Sequence, residues 1–333
     1  MEGIPLQELR KVTYIDTDHL EGRTVNLMPL WDGADWHMWL NTPIGMIEGK
    51  MVDAVESDYV ARTAAKPSDL FIPFVHLMWQ RASWREICPL IIAISDDFHN
   101  MGTSAAKLRH FFEFRNHIAP GGARRFAKTE LEYTAALTRT VFDLLHEMIR
   151  YIWKEKVLLL DAADEAHRRH QALPKTFSKM VLDNKERPKT ADEIESRYRL
   201  PRPLAEAYAA TGPFFAQLRL VRDKVIHGGG AFGDIFDTER GFCVSPKVFP
   251  FDSFPNWKSE HYYNENIVSV LPWIAETIFQ TIGACNRIVA TFTSIIQVPP
   301  DIAPGYAIFI RGPHNEALVN LLRVHEGASP WWA

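Results

Sequence analysis

The chain has 333 residues, enough for one large domain or two smaller ones. Hydrophobic residues make up 47% and charged residues 23%, ordinary for a globular protein, and a net charge of −4 excludes a global basic field of the kind many nucleic-acid binders carry. Its three cysteines, Cys88, Cys243 and Cys285, are far apart and odd in number, which argues against a cysteine metal site and fits free thiols in a reducing cytosol.

Met1 to Pro5 shows neither a basic nor an apolar leader, so no signal peptide is expected and the cytoplasm is the expected compartment. Residues 1–50 mix Pro, Gly, Asp and Trp with poor periodicity. They read as an irregular segment, with a short strand over 23–30, packed on the body through Trp31, Trp36 and Trp39. Helical patterning dominates 51–98, interrupted at Pro67 and Pro89. The apolar run over 70–94 is broken by Pro73, Arg81, Arg85, Glu86 and Pro89, so it reads as core rather than as a membrane span.

A helix is expected over 104–118, then a long amphipathic segment over 129–172 with a buried stripe of Leu137, Val141, Leu144, Leu145, Met148 and Ile152. Residues 173–200 are charged and flanked by prolines, which suits a surface connector and a domain boundary. A further helix covers 203–226. The runs 241–244 and 248–251, flanking Ser245-Pro246, suggest a hairpin or sheet edge. A last long helix is expected over 266–296, a short strand over 307–310 and a final helix over 315–324.

The chemistry concentrates near residue 220. Phe214, Leu218, Val221 and Val225 fall at helical spacing, with Thr211 and Pro213 suited to a first turn, and Gly228 to Gly230 terminate the run. Arg222, Asp223 and His227 therefore sit together at a helix end. Asp223 and His227 are four residues apart, so a carboxylate can orient or charge the imidazole, whereas Arg222 lies about 140° round the helix from His227. A second, imperfect copy begins at Arg115: Leu108, Phe111, Phe114 and Ile118 align with Phe215, Leu218, Val221 and Val225, and Pro120 stands where the other copy has His227. His117 is at the wrong spacing for a catalytic role.

Arg222-Asp223-(three residues)-His227 at the end of an apolar helix resembles the R-x(4–6)-H motif of the HEPN superfamily, helical-bundle proteins of prokaryotic ribonuclease toxins and defence systems. The match covers the motif and its helix, and the copy at Arg115 looks degenerate. The resemblance implies a mainly α fold: one or two HEPN-like bundles with minor β-hairpin elements, the first over 51–172 and the second over 173–333, or a single merged domain over 51–333. It implies a metal-independent endoribonuclease of toxin or phage-defence type, with no cofactor. His227 would serve as general base or acid, Arg222 as phosphate clamp and Asp223 as orienter. RNA contacts would come from Lys224, Arg115, Asn116, Arg124 and Arg125, and partners would include RNA, an antitoxin or regulatory protein, and a second motif in a homodimer or an intrachain pseudo-dimer.

Two other readings stay open: a non-catalytic interaction or dimerisation module of the same fold, and a structural helical protein whose motif is accidental. Asp96, Asp97 and His99, and Asp32, Asp35 and His37, are metal-capable types without a second cluster at recognised spacing, so no metal is expected. Arg168 and Arg169 with His167 and His170 suit a solvated helix end. No P-loop lysine follows the glycine runs, and no G-x-S-x-G elbow is present.

Overall fold

The structure is a computed structural model that describes residues 3–20, 22–155, 158–168, 172–227 and 232–332, leaving aside the side chains of Arg168, Ile226 and His227. It is an α/β fold, not the mainly helical bundle with minor hairpins that the sequence pattern implies. Sheets of 5 and 4 strands flank a set of long helices.

After a short helix α1 (Leu6–Leu9), the N-terminal segment builds most of the first sheet. Strands β1 (Leu30–Trp31), β2 (Trp36–Thr42), β3 (Gly45–Met51) and β4 (Ser57–Ala61) join a distant β9 (Ala307–Arg311) in the order β3-β2-β1-β4-β9. Residues expected to be irregular are therefore a hairpin, closed by Pro43 and by Gly45 at φ 110°, a conformation that favours glycine. The pattern hid it because burial along β2 does not alternate cleanly. The expected strand over 23–30 is absent until Leu30: Arg23 is buried and donates to the carbonyls of Leu20, Gln80, Pro300 and His19, anchoring this stretch as an ordered loop. Trp36, Tyr59 and Phe309 form a small second core on the outer face of the sheet.

Helices α2 (Pro73–Arg81) and α3 (Cys88–Glu113) follow, then α4 (Gly122–Glu155), the longest, and a short α5 (Ala162–Arg168). The region expected to be a connector holds two capped helices. In α6 (Phe177–Val181) the Thr176 hydroxyl accepts from Lys179 N, and α7 (Ala191–Tyr198) has a reciprocal capping box between Thr190 and Glu193. Helix α8 (Arg202–His227) matches the expected motif helix but begins earlier than Thr211 and Pro213 suggest. Thr211 lies inside it and donates back to the Ala207 carbonyl.

The second sheet pairs β5 (Phe236–Asp237), β6 (Phe242–Val244), β7 (Tyr262–Asn264) and β8 (Ile267–Ser269) in the order β5-β6-β8-β7. The strand expected at 248–251 is a turn leading into a short 3₁₀ helix, so the hairpin joins β5 to β6 instead. Helices α9 (Leu271–Ile295) and α10 (Asn315–His325) complete the fold, with β9 between them near the expected positions.

One apolar core runs from Leu9 to Val324 and draws on residues either side of the expected 172/173 boundary. At its centre α4 and α8 run antiparallel, Phe142 against Phe215 and His146 against Tyr208. The His146 Nε2 donates to the Pro174 carbonyl at 2.8 Å, and the ring is fully buried. Burial drives its pKa down to about 4, although the Pro174 bond works the other way.

The folded-state pKa lies below the unfolded value, so His146 contributes stability that is complete above about pH 6.5 and is lost as pH falls through about 4. Thermal unfolding followed between pH 7 and pH 4 should show a steep fall in Tm. His146→Gln should flatten that dependence while lowering Tm at pH 7; an unchanged slope in the variant would remove His146 as the cause.

Candidate functional site

Arg222 and Asp223 open onto a groove of about 640 Å³ between α4, the α6–α7 region and α8. Six basic side chains line it (Arg139, Lys179, Lys189, Arg197, Arg219 and Arg222) against three acidic ones (Asp183, Glu186 and Asp223), an excess of three positive charges on a chain that is net negative. This local field is of the kind that attracts polyanions.

Three local devices shape it. The Asp183 carboxylate accepts from the backbone of Lys185 and Arg187 and from the Arg187 guanidinium, which closes a tight turn with Glu186 at φ 64°. The turn projects Glu186 onto α8, where it accepts from Arg219 at 2.5 Å. Gly212 lets the turn approach the helix: a Cβ there would sit 3.1 Å from Pro188 Cβ. At the end of the same turn the buried Lys189 ammonium donates to the Lys179 and Met180 carbonyls and to the Tyr198 hydroxyl, and burial pulls its pKa down to about 8.

The arginines differ in how firmly they are held. Arg219 is tied to three places, donating to Ser178 at 2.8 Å, to Glu186, and to Asp223 at 3.3 Å. Arg139 pairs with Asp143 one turn along α4. Arg222 donates from Nη1 to Asp223 at 3.1 Å, and its side chain is 37% exposed toward the groove. Burial works against the Asp223 carboxylate, but the bonds from Arg222 and Arg219 outweigh it and hold its pKa below the usual range. The Asp223 oxygens thus accept from two arginines, rather than serving only to orient His227. The His227 side chain lies outside the described residues, as do Gly228 to Gly230, so the Asp223–His227 pairing expected from sequence lies there too.

The weaker RNA-contact candidates do not join this groove. Lys224 is exposed and its Nζ sits 3.6 Å above the Phe249 ring. Arg115 lies in a 3₁₀ turn past the end of α3, donating to the Phe112 carbonyl and covering that ring, with Asn116 exposed beside it. Arg124 pairs with Asp237 at 3.5 Å, and Arg125 is exposed. Helix α3 packs principally on α4, with α10 and α2 as its other main neighbours, while α8 packs equally on α4, α7 and α9 and then on α6. Arg139, Lys179, Lys189, Arg197 and Arg219 were not read from the sequence as site residues; only Arg219, one turn before Asp223, was legible as its partner.

The metal-capable motifs differ in their surroundings. Asp32 accepts from Ala34 N and Asp35 N and from the His37 ring, closing a turn, and these bonds lower its pKa to about 2. Asp97 is buried on α3, where burial and then the Asp96 charge push its pKa up to about 7, and nearby Asp58 accepts from Ser95 and Trp79. Among the described residues no group of three or more metal-ligand types could hold an ion. Of the basic run ending α5, Arg169 and His170 lie outside the described residues. Comparison with protein-family models, curated proteins and solved structures finds no match to this chain.

The Asp97 carboxyl is raised above its unfolded value, so its neutral form adds stability that is full below about pH 4 and lost as pH rises through about 7. Asp97→Asn should therefore gain Tm relative to the parent on going from pH 5 to pH 8 in calorimetry. A difference that stays constant over that range would show that the carboxyl does not titrate there.

Proposed function

We propose that the groove along α8 binds the phosphate backbone of RNA, and that the chain is an endoribonuclease acting through Arg222 and His227. The observation that carries this reading is the groove's excess of basic side chains, with Arg222 partly exposed at its wall. The HEPN-type spacing of Arg222, Asp223 and His227 supplies the chemistry.

RNA carries its own nucleophile. The ribose 2′-hydroxyl attacks the adjacent phosphorus, the O2′–P bond forms and the P–O5′ bond breaks, leaving a 2′,3′-cyclic phosphate and a 5′-hydroxyl. His227, at the end of α8, takes the 2′ proton or gives one to the leaving O5′. Arg222 swings from Asp223 to the phosphate oxygens, a fork that matches them better than a single ammonium does. Asp223 remains bound by Arg219, which keeps the carboxylate neutralised while Arg222 is away.

A second reading, a non-catalytic binding or dimerisation module, is favoured by one observation: the Asp223–Arg219–Arg222 set is complete as an ion-pair network without a substrate.

An RNA-cleavage assay in the presence of chelator separates the two. Wild type should release cyclic-phosphate ends, His227→Ala should abolish release, and Arg222→Ala should cut kcat/KM by about 100-fold or more. Lys224→Ala and Arg115→Ala should leave the rate within about threefold, because neither lines the groove. RNA binding that is salt-dependent and lost in Arg222→Ala, with no cleavage by folded wild type, would establish the binding module instead. Cleavage that survives His227→Ala would reject the assignment.

A further inference from the structure

We propose that a second copy of the chain docks on the free edge of β3, pairing antiparallel through residues 47–51 about a two-fold axis at Gly49 and joining the two first sheets into one. No residue of β3 lines the groove, and the proposal does not depend on the ribonuclease reading.

Strand β3 stands at one end of its sheet, with β2 on its inner side. An unpaired edge is a template for another strand. Backbone directions alternate along a strand, so one bond fixes them all. Met46 N donates to the Glu8 carboxylate at 2.5 Å and so points away from β2. The N–H and C=O groups of Glu48 and Lys50 therefore point to the open edge as well.

Registers centred on Met46 or Ile47 pair through the Met46 N–H that Glu8 holds, which leaves three self-pairing registers, centred on Glu48, Gly49 and Lys50, that match outward groups with outward groups. One sets Glu48 opposite its own copy and also needs the Met46 N–H that Glu8 holds. Another sets Lys50 opposite its own copy. Both place like charges face to face, which destabilises a strand pair. The third sets Glu48 opposite Lys50 of the second copy, twice by symmetry, and leaves the Glu8 bond intact. Both side chains reach solvent, Lys50 81% and Glu48 49% exposed; Lys50 has only a loose 3.9 Å contact with Asp35 to give up, and Glu48 keeps its second carboxylate oxygen free of the His37 bond.

The same register places Ile47 opposite the second copy's Met51. On that face the exposed Leu40 sits beside Ile47, its partner in β2, so the two-fold gathers apolar side chains that are separated in one chain. At the end of the strand Val52 is fully exposed and at the hairpin tip Ile44 is 90% exposed, which leaves this rim more apolar than a protected edge requires. An isologous pairing of this kind closes after two copies and cannot propagate.

Sedimentation equilibrium of the full chain tests this. Wild type should be dimeric at about 50 μM. Glu48→Lys and Lys50→Glu should each weaken association by about tenfold or more, and the double exchange should restore it, because the pair is only reversed. Lys50→Pro should also abolish the dimer, since it removes only an outward N–H. Gly49→Cys should cross-link on oxidation, because paired Cα atoms at such a non-hydrogen-bonded position lie about 4.5 Å apart, and a Cβ at Gly49 meets nothing closer than 3.8 Å. The native cysteines are all buried and do not confuse the readout. A monomeric wild type, a dimer indifferent to the single charge reversals, or a double exchange that stays monomeric would each overturn the proposal.

Discussion

Three phenyl rings hold the groove in place. Phe142 of α4, Phe177 of α6 and Phe215 of α8 meet with centroids 4.7 to 5.7 Å apart, and all three are fully buried. Each comes from a different wall of the groove, so the separation of the walls is set by ring packing rather than by the charges above it. Pairs of this kind add about 1 kcal/mol each beyond the area they bury, and removing one ring would cost about 3–5 kcal/mol. The charged residues gain their geometry from this apolar contact: Arg139 lies one turn from Phe142, Ser178 follows Phe177, and Arg219 lies one turn beyond Phe215. His146 closes the cluster from below, keeping its ring neutral so that no charge is buried there.

The groove then has to keep like charges apart. Arg219 and Arg222 project from neighbouring turns of one helix, and Asp223 lies between them, bonded to both. Asp223 and Glu186 balance these two guanidiniums, so the positive excess of the lining comes from Arg139, Lys179, Lys189 and Arg197 against Asp183. Glu186 relieves Arg219 alone, from a turn whose backbone is held by Asp183. The consequence is a graded set: Arg219 is fixed at three partners, while Arg222 has one described partner and open space beside it. The exposure of Arg222 follows from where the neighbouring bonds go, not from its own sequence context.

Helix α8, β9 and α10 were readable because each carries a period that burial enforces. Phe215, Leu218 and Val221 are all buried on one stripe, and the 307–311 strand is bounded by Pro304-Gly305 and Pro313. The N-terminal sheet was not readable. Its β4 pairs with β9 more than two hundred residues away, and β2 carries no clean alternation because Trp39 enters the main core while Trp36 enters a second one. Helix α7 was hidden by its charge and α6 by its length of five residues; local caps hold them, and Phe177, Met180, Val181, Ile194 and Tyr198 are their buried anchors.

At the site, Arg222 and Asp223 were legible because they are adjacent on one helix, whereas Lys189, Arg197 and Arg139 reach the same groove from elements distant in sequence. The apparent repeat at Arg115 shows the limit of pattern matching. Its apolar spacing copies that of α8, yet Phe114 is exposed where Val221 is buried, and Arg115 lies beyond the helix end. In the first copy the helix stops at Glu113 and turns toward Pro120 and Gly121, so its Arg covers Phe112 instead of a groove. Equal spacing gave unequal surroundings because α4 begins directly after the first copy, while the second is followed by a long excursion into the small sheet. What distinguishes Arg222 chemically is therefore the groove it shares with α6 and its turn, while Arg115 covers the Phe112 ring.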